Sequence, residues 1–206
     1  MRFPEWLMIS SMLFAIVLGI GGKGYKDSKE IFLLIIISLL VEILADYFMI
    51  KLHRNNLFLY HGLTVIHFLL LSKYLLKGYS IYHFYSIFTF ALIIEFILVV
   101  TKIEPINYSP SNLRLILRLI LLVLVFIHLE KLIKTDSIIE ITKLRSFWVV
   151  VGIISYFTNF MIVGLMKYFI VKKYENALSL YEYSLFFDGF FYIFLGISLF
   201  KSEVND

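Results

Sequence analysis

The sequence predicts an all-α polytopic membrane helix bundle of seven transmembrane helices, forming a single domain over residues 1–206, and three observations carry that prediction. Of its 206 residues 61% are apolar and 17% charged, whereas a soluble domain carries about a quarter charged residues. The apolar residues fall in seven long runs, each near the ~20 residues that a helix needs to cross a bilayer. The connections are brief and collect Lys, Arg, Asn, Pro and Gly. Spans of that length leave no room for a soluble nucleotide-binding, kinase or DNA-binding module, so any chemistry must sit within or between the helices.

The runs place spans near 5–22, 31–50, 57–76, 84–102, 113–133, 146–170 and 181–200. Each is read as helix because lipid offers no partner for an open backbone group, and a barrel would need strict alternation. The first run follows Met1-Arg2-Phe3-Pro4-Glu5 and is read as a retained helix, since Glu5 interrupts the basic start and no Ala-x-Ala-like site precedes Lys23. Spans two and three are joined only by Lys51-Leu52-His53-Arg54-Asn55-Asn56, which forces an antiparallel hairpin. Pro105 and Pro110 end span four and lead into span five, with Asn112 as the expected helix cap. On span six, Gly152 and Gly164 are read as sites of close helix packing.

Seven helices can also arise as three, a linker helix and three, in a 3+1+3 arrangement. Tyr60 and His67 on span three match Tyr181 and Asp188 on span seven in spacing, and Asp46 on span two matches Asn159 on span six. If the triplets are related, superposing them brings His67 near Asp188 and Asp46 near Asn159.

The net charge is +4 with no cysteine, and the mean hydropathy is +0.89. The basic residues flank spans, so they fit phospholipid headgroups and topology better than nucleic acid. Without cysteine there is no disulfide, thiolate nucleophile or Cys-ligated metal. Setting aside Arg114, Arg118 and Lys167, which lie within spans, six cations fall on the side of the N-terminus and ten on the other. The positive-inside rule then places the chain in the inner (cytoplasmic) membrane with N-out and C-in topology.

Ionisable groups at membrane depth cost ~2.5–3.5 kcal/mol each on insertion scales and are candidates for function. On span two, Ser38, Glu42, Asp46, Met49 and His53 form one helical stripe; span three brings His61, Thr64 and His67 to one side; span four supplies Glu95 alone. Span five presents Arg114, Arg118, Leu121, Val125 and His128, span six Tyr156, Asn159 and Lys167, and span seven Ser184, Asp188 and Tyr192. By depth these groups gather at the centre and toward the N-terminal side. The candidate ligand-binding residues are accordingly Glu42, Asp46, His61, His67, Glu95, Arg118, Asn159 and Asp188, arranged around a polar cavity open to that side.

A plainer reading stands beside this one. Arg114, Lys73 and Lys167 can snorkel to headgroups, His53, His83 and His128 lie near span ends and read as interfacial, and buried acids can serve as hydrogen-bonding glue between helices. Specific chemistries find little support. Span seven has no lysine before Lys201 for a retinal Schiff base. His61 and His67 are six residues apart and turn ~120° away from each other, so no metal site and no cofactor is expected. Serine-based hydrolysis would require Ser38 or Ser72 beside a histidine at depth.

The stretches Leu57-Phe58-Leu59-Tyr60-His61-Gly62-Leu63-Thr64 through Leu69-Leu70-Leu71, and Phe147-Trp148 through Ile154-Ser155-Tyr156-Phe157, resemble a family of small, uncharacterised seven-span bacterial integral membrane proteins. Where this chain has His67 the group often carries an acid. The resemblance implies the architecture and a bacterial inner-membrane location, and nothing about activity.

The function expected is binding of a small polar solute or lipid, as carrier or sensor; the alternatives are an intramembrane lipid-modifying enzyme with Glu42, Asp46 or Asp188 as acid and base, or a structural membrane subunit. Membrane lipid is the expected partner, nucleic acid is not, and signalling would need a partner protein.

Overall fold

The computed structural model describes residues 3–22, 28–107, 109–135, 144–169 and 177–201. Among them are seven helices and no strand: α1 (Phe3–Gly21), α2 (Lys29–Ile50), α3 (Leu57–Leu75), α4 (Ile81–Val100), α5 (Ser111–Thr135), α6 (Arg145–Phe169) and α7 (Ala177–Phe200). Each expected span overlaps one of these helices. By length and composition, α2, α3 and α4 are each fit to cross a bilayer, while the apolar stretches Glu5–Gly21 and Leu185–Phe200 are shorter. Among the described residues three helices thus meet that criterion, where the sequence predicted seven spans. Lys167, Gly164 and Ser184 lie outside the residues whose side chains are described.

The chain divides into two compact units, Met1–Ile35 with Ile133–Asp206, and Ile36–Leu132, so the division runs through α2 and α5. The units do not follow the expected triplets, since α1 belongs with α6 and α7.

In the first unit α7 packs on both α1 and α6. Small residues set the α1–α7 distance: a Cβ on Gly196 would lie 2.8 Å from the Ala15 Cα, and one on Gly189 would lie 3.2 Å from the Ser11 Oγ. These glycines are two turns apart on one face, the small-residue seam that lets helix backbones approach in lipid. At Gly152 a Cβ would meet Phe194 at an ordinary 3.4 Å. Gly152 thus lies in ordinary packing contact with α7, and the α1–α7 approach at Gly196 is tighter. α6 and α7 run antiparallel, joined by stacked rings at Trp148–Phe194 (6.0 Å) and Tyr156–Phe191 (4.7 Å). Arg145, 2% exposed, donates from Nε and Nη2 to the Lys201 carbonyl at 3.2 and 3.1 Å and from Nη1 to Ser28 Oγ at 3.4 Å. A guanidinium there satisfies a carbonyl at the end of α7 and complements its dipole.

In the second unit the α2–α3 hairpin closes as the short loop required. His53 takes a left-handed conformation (φ 50°), and the Arg54 N–H donates to the Phe48 carbonyl at 3.1 Å. Asn56 Nδ2 donates to the Ala45 carbonyl at 3.1 Å, and Phe48 meets Phe58 edge-on at 5.6 Å. The entry to α5 differs from expectation. Glu104, 3% exposed, accepts from the Asn112 N–H at 2.7 Å, the Leu113 N–H at 2.9 Å and Ser111 Oγ at 3.1 Å. Asn112 is one of the capped donors, not the cap, and the carboxylate reaches the helix start from across the proline-containing loop.

Apolar burial follows helical periodicity on α3 and α5. Leu113, Leu117, Leu121, Leu124 and Val125 are buried on α5, and residues 61, 63, 67, 68, 71, 72, 74 and 75 on α3. On α4 only Ala91 and Leu98 are buried, while Phe90, Leu92, Ile93, Phe96, Ile97 and Val100 are exposed. A contiguous apolar surface of this kind is unfavourable in water and matched by lipid.

Candidate polar site within the helical core

Two turns of α2 and most of α3 carry the polar residues of the second unit. Ser38 is fully buried on α2, and its Oγ lies 2.6 Å from Nε2 of His67, itself 6% exposed on α3. One turn on, Glu42 Oε2 accepts from the Tyr60 hydroxyl at 2.9 Å. Asp46, a further turn along, is half-buried. Met49 and His53, the rest of the predicted stripe, are exposed. The polar face of α2 thus dips into the core at Ser38 and emerges toward the α2–α3 loop.

Two arginines come from α5. Arg118 is 8% exposed. Arg114 is half-buried; its Nε donates to Thr64 Oγ1 at 3.3 Å, and its guanidinium lies 5.9 Å from the Tyr60 ring centroid, within cation–π range. Thr64 in turn donates to the Tyr60 carbonyl at 2.7 Å. Both guanidiniums act electrostatically on His67. The two Nη groups of Arg114 have no hydrogen-bond partner among the described residues. Planar and permanently charged, a guanidinium held through Nε and stacked on a ring presents its remaining donors as a fork for a carboxylate or phosphate.

His61 and His67 face different helices, as their spacing requires. His61 Nδ1 lies 2.9 Å from Glu95 Oε1 on α4, and His67 engages α2. Among the described residues no three His, Asp or Glu side chains are grouped to hold a metal. His128 is not simply interfacial: its Nδ1 lies 3.2 Å from the Leu75 carbonyl at the end of α3, and its Nε2 is buried. Deeper along α3, Ser72 Oγ is buried without a partner among the described residues.

Asn159 and Asp188 belong to the first unit. Asn159, 1% exposed on α6, donates from Nδ2 to Asp188 Oδ1 on α7 at 3.2 Å. The repeat pairs Asn159 with Asp46 and Asp188 with His67, yet His67 is bonded to Ser38, two turns before Asp46 on α2.

Of the eight residues singled out, the second unit holds Glu42, Asp46, His61, His67, Glu95 and Arg118, and the first holds Asn159 and Asp188. Sequence reasoning passed over Tyr60 and Thr64 as partners and left Arg114 either in the polar stripe of span five or snorkelling to headgroups. The signal was present in spacing, since Tyr60 and Thr64 are four apart on α3 and Arg114 and Arg118 four apart on α5.

Compared with known proteins, the chain matches no family model, and neither a curated protein nor a solved structure shows significant similarity to it.

Proposed function

We propose that the chain is a seven-span protein of the bacterial inner membrane, N-out and C-in, of the uncharacterised family that its third and sixth spans resemble. Its polar core binds a small anionic solute or a lipid headgroup. The observation that supports this is Arg114, fixed by Thr64 and the Tyr60 ring with both Nη groups unengaged among the described residues, next to the buried Arg118 on the same helix. A sensor form needs one binding site and a partner protein to pass on the signal. A carrier form needs two halves that rock about the site, and so depends on the 3+1+3 relation.

Ligand binding is tested on purified protein in lipid nanodiscs by thermal stabilisation with inorganic phosphate, dicarboxylates and phosphatidylglycerol. A ligand at a hundred times its Kd stabilises by about 2.7 kcal/mol. Arg114→Gln should abolish that gain while leaving the unliganded protein folded. Glu42→Gln and Asp46→Asn separate the roles: a folded variant that no longer binds supports the cavity, and loss of folding alone supports structural glue. If no anion stabilises the wild type, or if Arg114→Gln leaves the gain intact, the reading fails.

A second reading, a lipid-modifying enzyme, is supported by Ser38 Oγ at 2.6 Å from His67 Nε2, the contact that a serine nucleophile makes with its base. Labelling of Ser38 by a lipophilic fluorophosphonate, lost in Ser38→Ala, would favour it over binding alone.

A further inference from the structure

The C-terminal ends of α3 and α5 lie side by side. Arg114, in the first turn of α5, reaches Thr64 on α3, and further along His128 Nδ1 lies 3.2 Å from the Leu75 carbonyl, so the two helices run parallel. Beyond that contact α3 gives way to a tight turn, in which the Tyr79 N–H donates to the Leu76 carbonyl at 2.9 Å and Gly78 takes a φ of 87°. That conformation favours glycine. A side chain is disfavoured there on a second count, since a Cβ on Gly78 would lie 3.2 Å from Nζ of Lys131.

The turn thereby collects cations from two helices. Lys131, from α5, sits against the Gly78 backbone with its ammonium 5.5 Å from the Tyr79 ring centroid. Lys77, in the turn, has its ammonium 5.0 Å from the Tyr74 ring centroid, and Lys73 lies one helical turn before it. All three lysines are exposed. Ring faces attract ammonium groups, and tyrosines concentrate at the membrane–water interface, the level of the lipid headgroups. The sequence has no acid between Asp46 and Glu95, and Glu130, also exposed, precedes Lys131. Three lysines against that one glutamate leave this end cationic. The attraction of a helix C-terminus for cations accounts for lysines at each helix end separately. It does not account for a glycine turn that admits the lysine of one helix against the backbone that follows the other. The anion abundant at headgroup depth is a lipid phosphate, and basic sites between membrane helices recognise such headgroups. α4 begins at Ile81, directly after the turn, and of its residues only Ala91 and Leu98 are buried, so acyl chains find an apolar surface beside the lysines.

We propose that Lys77 and Lys131, set about the Gly78 turn with Lys73 beside them, bind the phosphate of an anionic phospholipid. From Arg114 to Lys131 the rise of α5 is about 25 Å, so this site is separate from the arginine-bearing core. It rests on the reading of the chain as a membrane protein and not on anion binding by that core.

The test titrates the full chain in detergent micelles with phosphatidylglycerol and, separately, with phosphatidylcholine, and counts bound lipid by native mass spectrometry. Phosphatidylglycerol should bind more tightly, because the choline of the other lipid offsets its phosphate. Lys77→Gln combined with Lys131→Gln should weaken phosphatidylglycerol binding roughly ten- to thirtyfold. Lys51→Gln combined with Lys102→Gln, which removes the same charge from exposed positions in other loops, should leave it near the wild-type value; circular dichroism checks that both variants fold. Gly78→Ala keeps every charge and should still weaken binding several-fold, by displacing Lys131. Arg114→Gln should retain the lysine-dependent binding whether or not the core binds an anion. The proposal is overturned if the two lipids bind equally, if the two lysine pairs weaken binding equally, if Gly78→Ala binds as the wild type does, or if binding disappears in Arg114→Gln. Displacement of the lipid by millimolar inorganic phosphate would also overturn it, assigning the site to free phosphate.

Discussion

Glu104→Ala removes the acceptor for the Asn112 and Leu113 N–H groups in the first turn of α5, and its cost can be worked from the contacts. The carboxylate accepts two backbone bonds, at 2.7 and 2.9 Å, and one from Ser111 Oγ at 3.1 Å. Hydrogen bonds to a charged group contribute about 1.5–3 kcal/mol each, and loss of an ordinary N-cap costs about 0.5–2 kcal/mol. The three share one carboxylate and are not additive, and Ser111 and Asn112 are exposed, so water can replace part of what is lost. A destabilisation of about 2–4 kcal/mol is expected, and about half that for Glu104→Gln, which keeps one acceptor oxygen. Asn112→Ala is the contrast. Its side chain makes no described contact, so its effect should stay within about 0.5 kcal/mol. The assay is reversible unfolding in mixed micelles by a denaturing detergent, followed by far-UV circular dichroism. If Asn112→Ala costs as much as Glu104→Ala, Asn112 caps the helix and the reasoning is refuted.

Two glycines should respond in opposite directions in the same assay. Gly196→Val must push α7 away from Ala15, where even a Cβ would lie 2.8 Å from Cα, and should destabilise by about 1–3 kcal/mol or more. Gly62→Ala, in the helix interior of α3 with nothing within 4 Å of the added carbon, should be neutral or stabilising by up to about 1 kcal/mol. The topology is checked by a C-terminal reporter active only in the cytoplasm. It should be active, and activity only when the reporter is exported would reverse the orientation and put the polar groups toward the cytoplasmic face.

Helix positions were legible because each run is apolar along its length, and the bounds of α3, 57–75 against an expected 57–76, show how well a basic or polar boundary marks an end. The faces were partly legible. On α5 the stripe through Arg118, Leu121 and Val125 is buried, but on α2 the stripe is exposed at Met49, in the last turn of the helix, and at His53 in the loop beyond it. Partners were not legible. Ser38 and His67 are 29 residues apart, and periodicity names the face of a residue without naming what meets it. Arg145 shows the same limit: counted as a loop cation for topology, it is a buried donor to the end of α7.

The contacts of Arg114 bear on how such a chain tolerates an ionisable group in an apolar core. Arg114 is met by a threonine and a ring. Neutral partners satisfy hydrogen-bonding valence without adding a second desolvated charge, whereas a buried ion pair must recover two desolvation penalties. An arginine held by neutral groups keeps its full charge for an incoming anion; one already neutralised by a carboxylate would have to give up that partner first. Neutral partners around Arg114 are therefore what the proposed anion site requires. It follows that Thr64→Val, which removes the Nε acceptor but not the charge, should loosen the orientation of the guanidinium and weaken anion binding several-fold with little change in folding, while Thr64→Ser should preserve both. Equal binding by Thr64→Val and the wild type would show that the Thr64 contact plays no part in presenting Arg114.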